Sequence, residues 1–231
     1  MATKTAAGDG RRKAAALRRR ARRAEIIAAT RKIFDSKGVR EVQIEEVATE
    51  VGINRAIVYR HFTGKEELFA LTLVGYLGEL HDAMALAAAD HEDPAQRLQA
   101  IVGAFVDYGL AYPAFVDCAQ ALMVRPGEEL LDEIAEGALF HLGRGITSCL
   151  TVLSDALTAG VASRAFTLHE DPVLLANALY ASGLGALQLA RLGILVKEAA
   201  PGIPTVGQIS TDQVRTYLVT SALALVSHRS Q

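Results

Sequence analysis

Apolar positions recur at three- and four-residue spacings along most of the chain, which is the pattern of amphipathic α-helices. A clear case begins near Arg22, where the apolar residues share one face until Gly38 ends the helix. No segment combines alternating β-branched residues with hairpin-turn residues, so the sequence predicts no strand. We therefore predict an all-α protein with about nine or ten helices.

Several later helix starts are marked by capping residues. Two Asp-Pro pairs each place an N-cap directly before a proline at the first helical position, and two further segments resemble capping boxes. These signals are Asp93-Pro94, Asp171-Pro172, Thr63 with Glu66, and Ser210 with Gln213. They divide the chain into helices with short breaks between them, and no repeat at solenoid periods is visible.

The segment 38–62 reads as a helix-turn-helix. A short helix is followed by a tight turn at Gly52, and Asn54 is the expected N-cap of a third helix over about Arg55–Phe62. The outer face of this third helix is polar, because Arg55 and Tyr59 lie on it. Arginine binds guanine edges or phosphate, so this face is a candidate for contact with DNA.

Net charge supports a nucleic-acid partner only when it is divided along the chain. The 231 residues carry a net charge of −2, yet residues 1–65 hold 16 of the 24 Lys and Arg residues against 7 acidic residues. The remaining 166 residues hold 8 basic against 19 acidic residues, so the basic end is the one suited to a polyanion. We interpret residues 1–21 as a flexible basic arm that condenses on phosphates, and the alternative is a solubilising tail.

Three segments resemble the TetR family of bacterial transcriptional regulators. They are Ile44-Glu45-Glu46-Val47-Ala48, the run Val51-Gly52-Ile53-Asn54-Arg55-Ala56-Ile57-Val58-Tyr59-Arg60-His61-Phe62, and Lys65-Glu66-Glu67-Leu68. The Tyr-x-His-Phe-x-x-Lys element is specific, and the resemblance covers roughly residues 22–70. This chain departs from the family pattern at Val42-Gln43, where a Thr or Ser commonly opens the second helix.

The resemblance implies a helix-turn-helix DNA-binding domain at 22–68 and a helical ligand-binding and dimerisation domain at 69–231. It implies a homodimer that binds a palindromic operator, usually as a repressor, and that a small inducer releases. Tyr59, His61 and Lys65 would contact phosphates. Asn54 is the predicted N-cap, and Ile57 could meet a thymine methyl. With the residues carried over by position, the predicted DNA-binding residues are Gln43, Asn54, Arg55, Ala56, Ile57, Tyr59, Arg60, His61 and Lys65.

The acidic C-terminal part has few charges and could leave an apolar cavity between helices. We expect a small, hydrophobic effector there, although each candidate residue also fits a role in the core or at the surface. The candidates are Phe105, Tyr108, Tyr112, Phe115, Met123, Phe140, Asn177 and Gln188, with Asp107 and His141 as further polar groups.

Dimer contacts are expected at residues 172–196, which are apolar nearly all round, and at residues 211–226, a second apolar helix. The resemblance to the TetR family implies the same pair, because the last two helices of each subunit form the dimer interface in that family. The uncharged run 172–190 is long enough to suggest a membrane span. Asn177 and Gln188 inside this run and Arg191 directly after it argue against insertion into lipid. A helix covered by its own domain on one side and by a partner subunit on the other explains the run better, so no membrane partner is expected.

Catalytic motifs and metal-ligand clusters are not found in the sequence, so we expect neither an enzyme nor a bound cofactor. Cys118 and Cys149 are interpreted as buried thiols of a cytoplasmic protein. The leading hypothesis is a dimeric, ligand-responsive repressor. One alternative is a helical small-molecule-binding or protein-interaction module with a vestigial helix-turn-helix, and a weaker one is an architectural DNA binder without a ligand.

Overall fold

The computed structural model describes residues 3–125 and 127–226. Ten α-helices and one two-stranded sheet account for the secondary structure of these residues, which confirms the predicted all-α class. The helices are α1 (Thr3–Lys37), α2 (Ile44–Val51), α3 (Arg55–Tyr59), α4 (Lys65–Ala89), α5 (Pro94–Ala111), α6 (Pro113–Met123), α7 (Gly127–Glu133), α8 (Glu136–Ala162), α9 (Pro172–Leu192) and α10 (Thr211–Val226), and the strands are β1 (Ile194–Ala200) and β2 (Ile203–Gln208).

The chain divides into two compact units. The N-terminal unit contains the described residues up to Thr72 together with Arg125–Leu139. The C-terminal unit contains Leu73–Val124 and the described residues from Phe140 onward.

The core of the N-terminal unit forms where α1 packs on α2. Ile26 and Phe34 of α1 are almost completely buried, as is Val47 of α2. The Phe34 ring meets the Phe69 ring edge-on, with centroids 4.6 Å apart. These residues are the apolar positions that the helical spacing predicted, and their burial fixes the short helices α2 and α3, which are too short to be stable alone.

The prediction of a flexible arm at residues 1–21 is wrong for the described residues. Helix α1 begins at Thr3 and runs without a break to Lys37. Alanine, arginine, lysine and leucine dominate residues 11–24, and all four have high helix propensity, so the charged stretch extends the packed helix that follows it. Residues 1 and 2 of the predicted arm lie outside the described residues, as do residues 227–231 of the predicted C-terminal domain.

The C-terminal unit is a helical core in which α5 packs against α9 and α10. Glycines permit the close crossing of α5 and α9. A Cβ atom at Gly183 would lie 2.6 Å from the Phe105 ring, and one at Gly109 would lie 2.4 Å from the Leu187 side chain. The aromatic rings of Phe105, Tyr108 and Phe115 meet in this core, so most of the predicted aromatic positions are packing residues.

The hairpin of β1 and β2 contradicts the prediction that the chain has no strands. Helix α9 ends at Leu192, with Gly193 in the left-handed conformation at φ 68°, so residues 194–196 of the predicted dimer helix are strand instead. The strands pair antiparallel with Ile194 opposite Gln208, and the turn uses Gly202 at φ 76°. The apolar run that follows α9 contains the β-branched residues Ile194 and Val196, and a Pro-Gly turn comes after it. β-Branched residues and a turn both favour a hairpin over a longer helix.

The helix caps largely follow the sequence signals. The side chains of Asn54, Asp93 and Asp171 accept hydrogen bonds from the first turns of α3, α5 and α9. Ser210 and Gln213 form the predicted reciprocal capping box. The box at Thr63 is different from the prediction, because the backbone and the hydroxyl of Thr63 both donate to Glu67 and not to Glu66.

Two of the described helices, α8 and α9, are long and apolar enough to cross a membrane, judged by length and composition alone. Helices α5 and α6, which meet at a bend of 98°, would make a third span if they were one broken helix. Only 28% of the most apolar stretch of α8 or of α9 is buried. In α9, however, Gln188 hydrogen-bonds Gln120 at 2.6 Å, and Arg191 pairs with Asp117 at 2.5 Å. Polar groups of α9 thus find protein partners on α6.

Candidate nucleic-acid interface

Helices α2 and α3 and the turn between them form a helix-turn-helix. Gln43 caps α2 through a reciprocal box with Glu46, whose carboxylate accepts from the Gln43 backbone N–H at 3.1 Å. Gly52 ends α2 at φ 72°, a left-handed conformation that an L side chain rarely adopts, and Ile53 N–H then donates to Ala48 at 2.9 Å. The predicted role of Gly52 in the turn is therefore confirmed.

Helix α3 is shorter than the predicted span of Arg55–Phe62, because its regular part ends at Tyr59. Asn54 Oδ1 accepts from Ile57 N–H at 3.1 Å and starts the helix. Val58 and Phe62 are buried and attach this segment to the N-terminal unit. The chain continues past Tyr59 in a tight turn, which Phe62 N–H closes by donating to the Val58 carbonyl oxygen.

The outer face of α3 is open to solvent. Among the predicted DNA-binding residues, six are exposed, Ile57, His61 and Lys65 are half-buried, and none is fully buried. The exposed six are Gln43, Asn54, Arg55, Ala56, Tyr59 and Arg60. The small side chain of Ala56 lies between larger polar ones, so a flat surface such as a base-pair edge could approach the helix there.

Arg55 is held on this face by two neighbours. Its Nη1 lies 2.5 Å from Glu45 Oε1 on α2, and its guanidinium carbon lies 5.3 Å from the centre of the Tyr59 ring. A hydrogen bond with Tyr59 and the charge of Glu45 raise the pKa of Arg55 above its ordinary value. Arg55 is thus permanently charged and restricted in orientation. Sequence reasoning identified Arg55 but not its partner Glu45.

Arg60 lies next to this pair but differs from it in its surroundings. It is exposed, and within residues 3–125 and 127–226 the structure gives it no ion pair. Other cations of the unit have carboxylate partners, as in the pair of Lys32 with Glu50 at 2.5 Å and that of Lys37 with Glu46. Arg60 therefore offers its whole charge to a ligand.

His61 is a half-buried imidazole surrounded by cations. Burial lowers the pKa of His61, and the charges of Arg19, Arg23 and Arg22 lower it further. The ring is therefore neutral near neutral pH, and its Nδ1 is buried without a hydrogen-bond partner among the described residues. Arg23 Nη1 donates to the His61 carbonyl oxygen at 2.9 Å, so the basic stretch of α1 lies beside the end of α3.

A network around Glu67 joins α1 to the start of α4. Glu67 is almost completely buried, and Arg23 Nη2 donates to it at 2.5 Å while Arg23 Nη1 donates to the His61 carbonyl at 2.9 Å. Burial alone would raise the pKa of Glu67, but hydrogen bonds from Thr63 and Arg23 outweigh this and the pKa is lowered. Lys65 lies over the Phe69 ring at 5.0 Å. The network ties the His61 backbone to α1 and to the start of α4, and the Thr63 capping signal was the only sequence indication of it.

The C-terminal unit contains a narrow apolar cavity of about 30 Å³, which is space for roughly one water molecule. Of the predicted effector residues, Phe105 lines it, whereas Tyr108 and Phe115 are buried in the adjoining aromatic cluster with Tyr112 at its edge. The other lining residues were not among the predicted effector residues, and they are Met84, Ile101, Val102, Cys149, Leu150, Leu153, Leu179, Tyr180, Gly183 and Leu218. They come from helices far apart in the chain, so no local pattern could have grouped them.

Three of the predicted effector residues lie at the surface and not at the cavity. Met123 and Phe140 are 56% and 62% exposed, and Asn177 is also exposed and donates to the Val173 carbonyl of its own helix. These side chains do not line the cavity, because the helical phase at each position turns them toward solvent. Gln188 is half-buried but bonds Gln120, so its amide joins α9 to α6.

The remaining polar candidates are also engaged elsewhere. Asp107 is exposed and pairs with Arg215 at 2.9 Å, and His141 is exposed on α8. Cys118 and Cys149 are buried free thiols, as predicted, and burial raises the pKa of Cys149 to about 12. Across the part of the chain that the structure describes, no group of three or more His, Cys, Asp or Glu side chains could hold a metal ion.

The described residues form a helix-turn-helix whose second helix has a polar outer face, in the N-terminal unit, and the C-terminal unit is a larger helical core. Residues 26–72 match the family described as bacterial regulatory proteins, tetR family. The N-terminal unit therefore carries the DNA-binding domain of the TetR family, and the resemblance inferred from the motif is confirmed.

Curated relatives agree with this assignment. The chain is 31% identical over 99 residues to the HTH-type transcriptional activator FasR of Mycolicibacterium smegmatis, covering 43% of this chain and 45% of that protein. It is 32% identical over 94 residues to the HTH-type transcriptional repressor NicS of Pseudomonas putida, covering 41% and 44% of the two chains. The chain thus matches less than half the length of these relatives. They are transcriptional regulators, which agrees with the prediction that the chain is not an enzyme.

Solved structures share the fold over nearly the whole chain. The crystal structure of RolR in complex with resorcinol has a TM-score of 0.66 at 19% identity and covers 93% of this chain and 92% of its own. The FadR regulator of Bacillus subtilis in complex with stearoyl-CoA has a TM-score of 0.64 at 12% identity and covers 88% and 99%. At these identities the likeness establishes the fold.

Proposed function

We propose that this chain is a transcriptional regulator that binds an inverted-repeat operator as a homodimer and is released from it by a small hydrophobic effector. The observation that carries the proposal is the open polar face of α3 within residues that match the TetR family. The regulator would act in the cytoplasm as a repressor. Its relatives include both an activator and a repressor, so the direction of control rests on what is usual in the family.

The residues of the N-terminal unit divide into two proposed roles. Arg55 and Ala56 face base edges, with Ile57 beside them as an apolar contact for a thymine methyl. Tyr59, His61 and Lys65 contact phosphates, and Arg60 adds a further cation to the same backbone. The remaining predicted contacts, Gln43 and Asn54, cap α2 and α3 and would set the position of these helices at the phosphate backbone.

A second copy of the chain is the proposed cover for α9 and α10. Apolar side chains of both helices are exposed, as at Leu189 and Tyr217, and a groove runs along them. Small residues in that groove allow close approach of another helix. They are Ser182, Gly185, Ala186, Ser221 and Ala224. The hairpin that joins the two helices extends the same surface, because its Val196 and Val206 are 81% and 63% exposed.

A homodimer of this kind has two α3 helices related by two-fold symmetry. Each would enter a major groove, so the operator is expected to be an inverted repeat with half-sites about one DNA turn apart or further in variants. A two-fold pairing of α9 and α10 fits this proposal, because the exposed patch on one subunit would then be covered by the same patch on the other.

The effector is proposed to bind in the apolar cavity of the C-terminal unit, whose volume of about 30 Å³ means that the surrounding side chains must move apart to admit it. Its wall is apolar apart from the thiol of Cys149 and the hydroxyl of Tyr180, whose pKa is raised by burial. Such a wall favours an aromatic or acyl group over a charged one. RolR is described with resorcinol and FadR with stearoyl-CoA, which supports an effector with an apolar part. Ligand binding would favour a geometry of the dimer with lower DNA affinity.

Selection of bound fragments from fragmented genomic DNA tests the proposal against its alternatives. Enrichment of an inverted repeat supports it. No enrichment supports a small-molecule-binding or protein-interaction module with a vestigial helix-turn-helix, and diffuse enrichment supports an architectural binder. Native mass spectrometry of the purified dimer then tests the effector, because a co-purified hydrophobic molecule that lowers DNA binding when added back is the expected result.

A further inference from the structure

Glu45 is an acidic residue on the face that is proposed to contact DNA. Its side chain is 53% exposed and lies 2.5 Å from Arg55 Nη1, and Arg55 itself is 60% exposed. A carboxylate at such a surface repels the phosphate backbone, so it lowers DNA affinity unless it has a compensating role. Its contact with the guanidinium of the recognition helix suggests what that role is.

We propose that Glu45 positions Arg55 to read a guanine in each operator half-site, which makes Glu45 a determinant of sequence specificity. The inference rests on the proposed DNA-binding function. Glu45 would act through Arg55 and is therefore a positioning residue. One base pair in each half-site would be recognised in this way.

The first argument concerns which part of DNA Arg55 contacts. Glu45 and the Tyr59 hydroxyl each use a donor of the Arg55 fork, and the guanidinium, which has five N–H groups, keeps further donors for another acceptor. A phosphate brought to these donors would also meet the carboxylate of Glu45 and be repelled. The O6 and N7 atoms of guanine are uncharged acceptors that match the fork, so the pair favours a base edge over the backbone. Arg60, which has no ion pair among the described residues, is suited to phosphate instead.

The second argument concerns orientation. A free arginine has many rotamers and loses this freedom on binding, which weakens a specific contact. Here the guanidinium carbon lies 5.3 Å from the centre of the Tyr59 ring while Glu45 holds Nη1. Contacts from two directions restrict the side chain before DNA arrives. The same bond contributes little to folding, because exposed ion pairs generally do, so its removal should leave the N-terminal unit folded.

Selection of bound sequences from a random DNA library tests this inference with the full-length chain. The variants are E45A, E45Q and R55K, and the matched control is E50A, which removes another exposed carboxylate of α2 that pairs with Lys32. R55K should lose a guanine preference at one position of each half-site and so identify that position. E45A should reduce the same preference by about 5- to 20-fold without changing the other positions, and E45Q should fall between E45A and the parent chain.

The control separates a local electrostatic effect from the proposed role. E50A should keep the parent preference at every position, although both E45A and E50A should bind non-specific DNA more tightly because a negative charge is removed. An unchanged preference in E45A, or an equal loss in E50A, would overturn the inference while leaving the proposed function intact. If the parent chain selected no repeated sequence at all, the proposed function would fail and the inference with it.

Discussion

Replacement of Arg23 by methionine should destabilise the N-terminal unit, because Arg23 is the charged partner of a buried carboxylate. Glu67 has 3% of its side chain exposed, against 34% for Arg23. Methionine keeps an apolar chain near the Phe62 ring, over which the Arg23 guanidinium now lies at 4.8 Å. The substitution therefore removes mainly the charge and its hydrogen bonds.

The magnitude follows from the two hydrogen bonds that the substitution removes. The bond to Glu67 is charged on both sides and contributes about 1.5–3 kcal/mol, and the bond to the His61 carbonyl contributes roughly a further 0.5–1.5 kcal/mol. Water can reach the freed carboxylate through the position that Arg23 occupies, and Thr63 keeps donating to it. We therefore take the lower part of the range and expect a loss of about 2 kcal/mol.

Hydrogen exchange measures this loss locally, which matters because the chain has two units and a single unfolding transition is not assured. A loss of about 2 kcal/mol corresponds to roughly 30-fold faster exchange of the protected amides in α1, α2 and α4. The control R22M breaks only the exposed pair of Arg22 with Glu25 and should accelerate exchange about twofold or less. Equal acceleration in both variants would refute the assigned role of Arg23.

The effect should also depend on pH. The pKa of Glu67 is lowered in the folded chain, so its ionised form stabilises the fold above the ordinary value of 4.5. That contribution is lost as the pH falls through the lowered folded-state pKa. The difference between R23M and the parent chain should therefore be largest near neutral pH and shrink in acid. A difference that stayed constant down to the acid transition would contradict the ionic account.

Four further predictions concern DNA binding, packing and assembly. Tyr59→Phe and Lys65→Ala should each weaken operator binding about 10-fold in titrated gel shifts without a change in helical content, since each removes one phosphate donor; full affinity in both would show that the assigned face is wrong. Deleting residues 2–20 should make the slope of log affinity against log salt shallower by about 0.9 for each phosphate that these residues neutralise, whereas an unchanged slope would exclude a role in binding. Gly183→Val should lower the melting temperature by several degrees, because its Cβ would lie 2.6 Å from Phe105 and overpacking costs roughly 1–3 kcal/mol; a stable variant would show that the core yields there. Tyr217→Arg should shift the dimer toward monomer in analytical ultracentrifugation, and Leu86→Arg, at an exposed position on α4, is the matched control.

The hairpin shows why local patterns misjudge structure at the edge of a helix. Residues 194–196 continue the apolar run of α9, which predicts one longer helix, yet Gly193 ends the helix and the Pro-Gly turn reverses the chain. The same limit applies at the N-terminus, where a charge-rich stretch is typical of a flexible arm. It is helical because its residues have high helix propensity and extend a helix that is already packed.

The sequence by itself determined the all-α class, the helix-turn-helix and its family, because these depend on local spacing, caps and a contiguous motif within 47 matched residues. Tertiary structure decided which side chains act together. Glu45 meets Arg55 ten residues away, Arg23 meets Glu67 across 44, and the cavity wall is gathered from helices spread between Met84 and Leu218. Such groupings depend on how helices pack, and packing is set by long-range burial that no single window of the sequence contains.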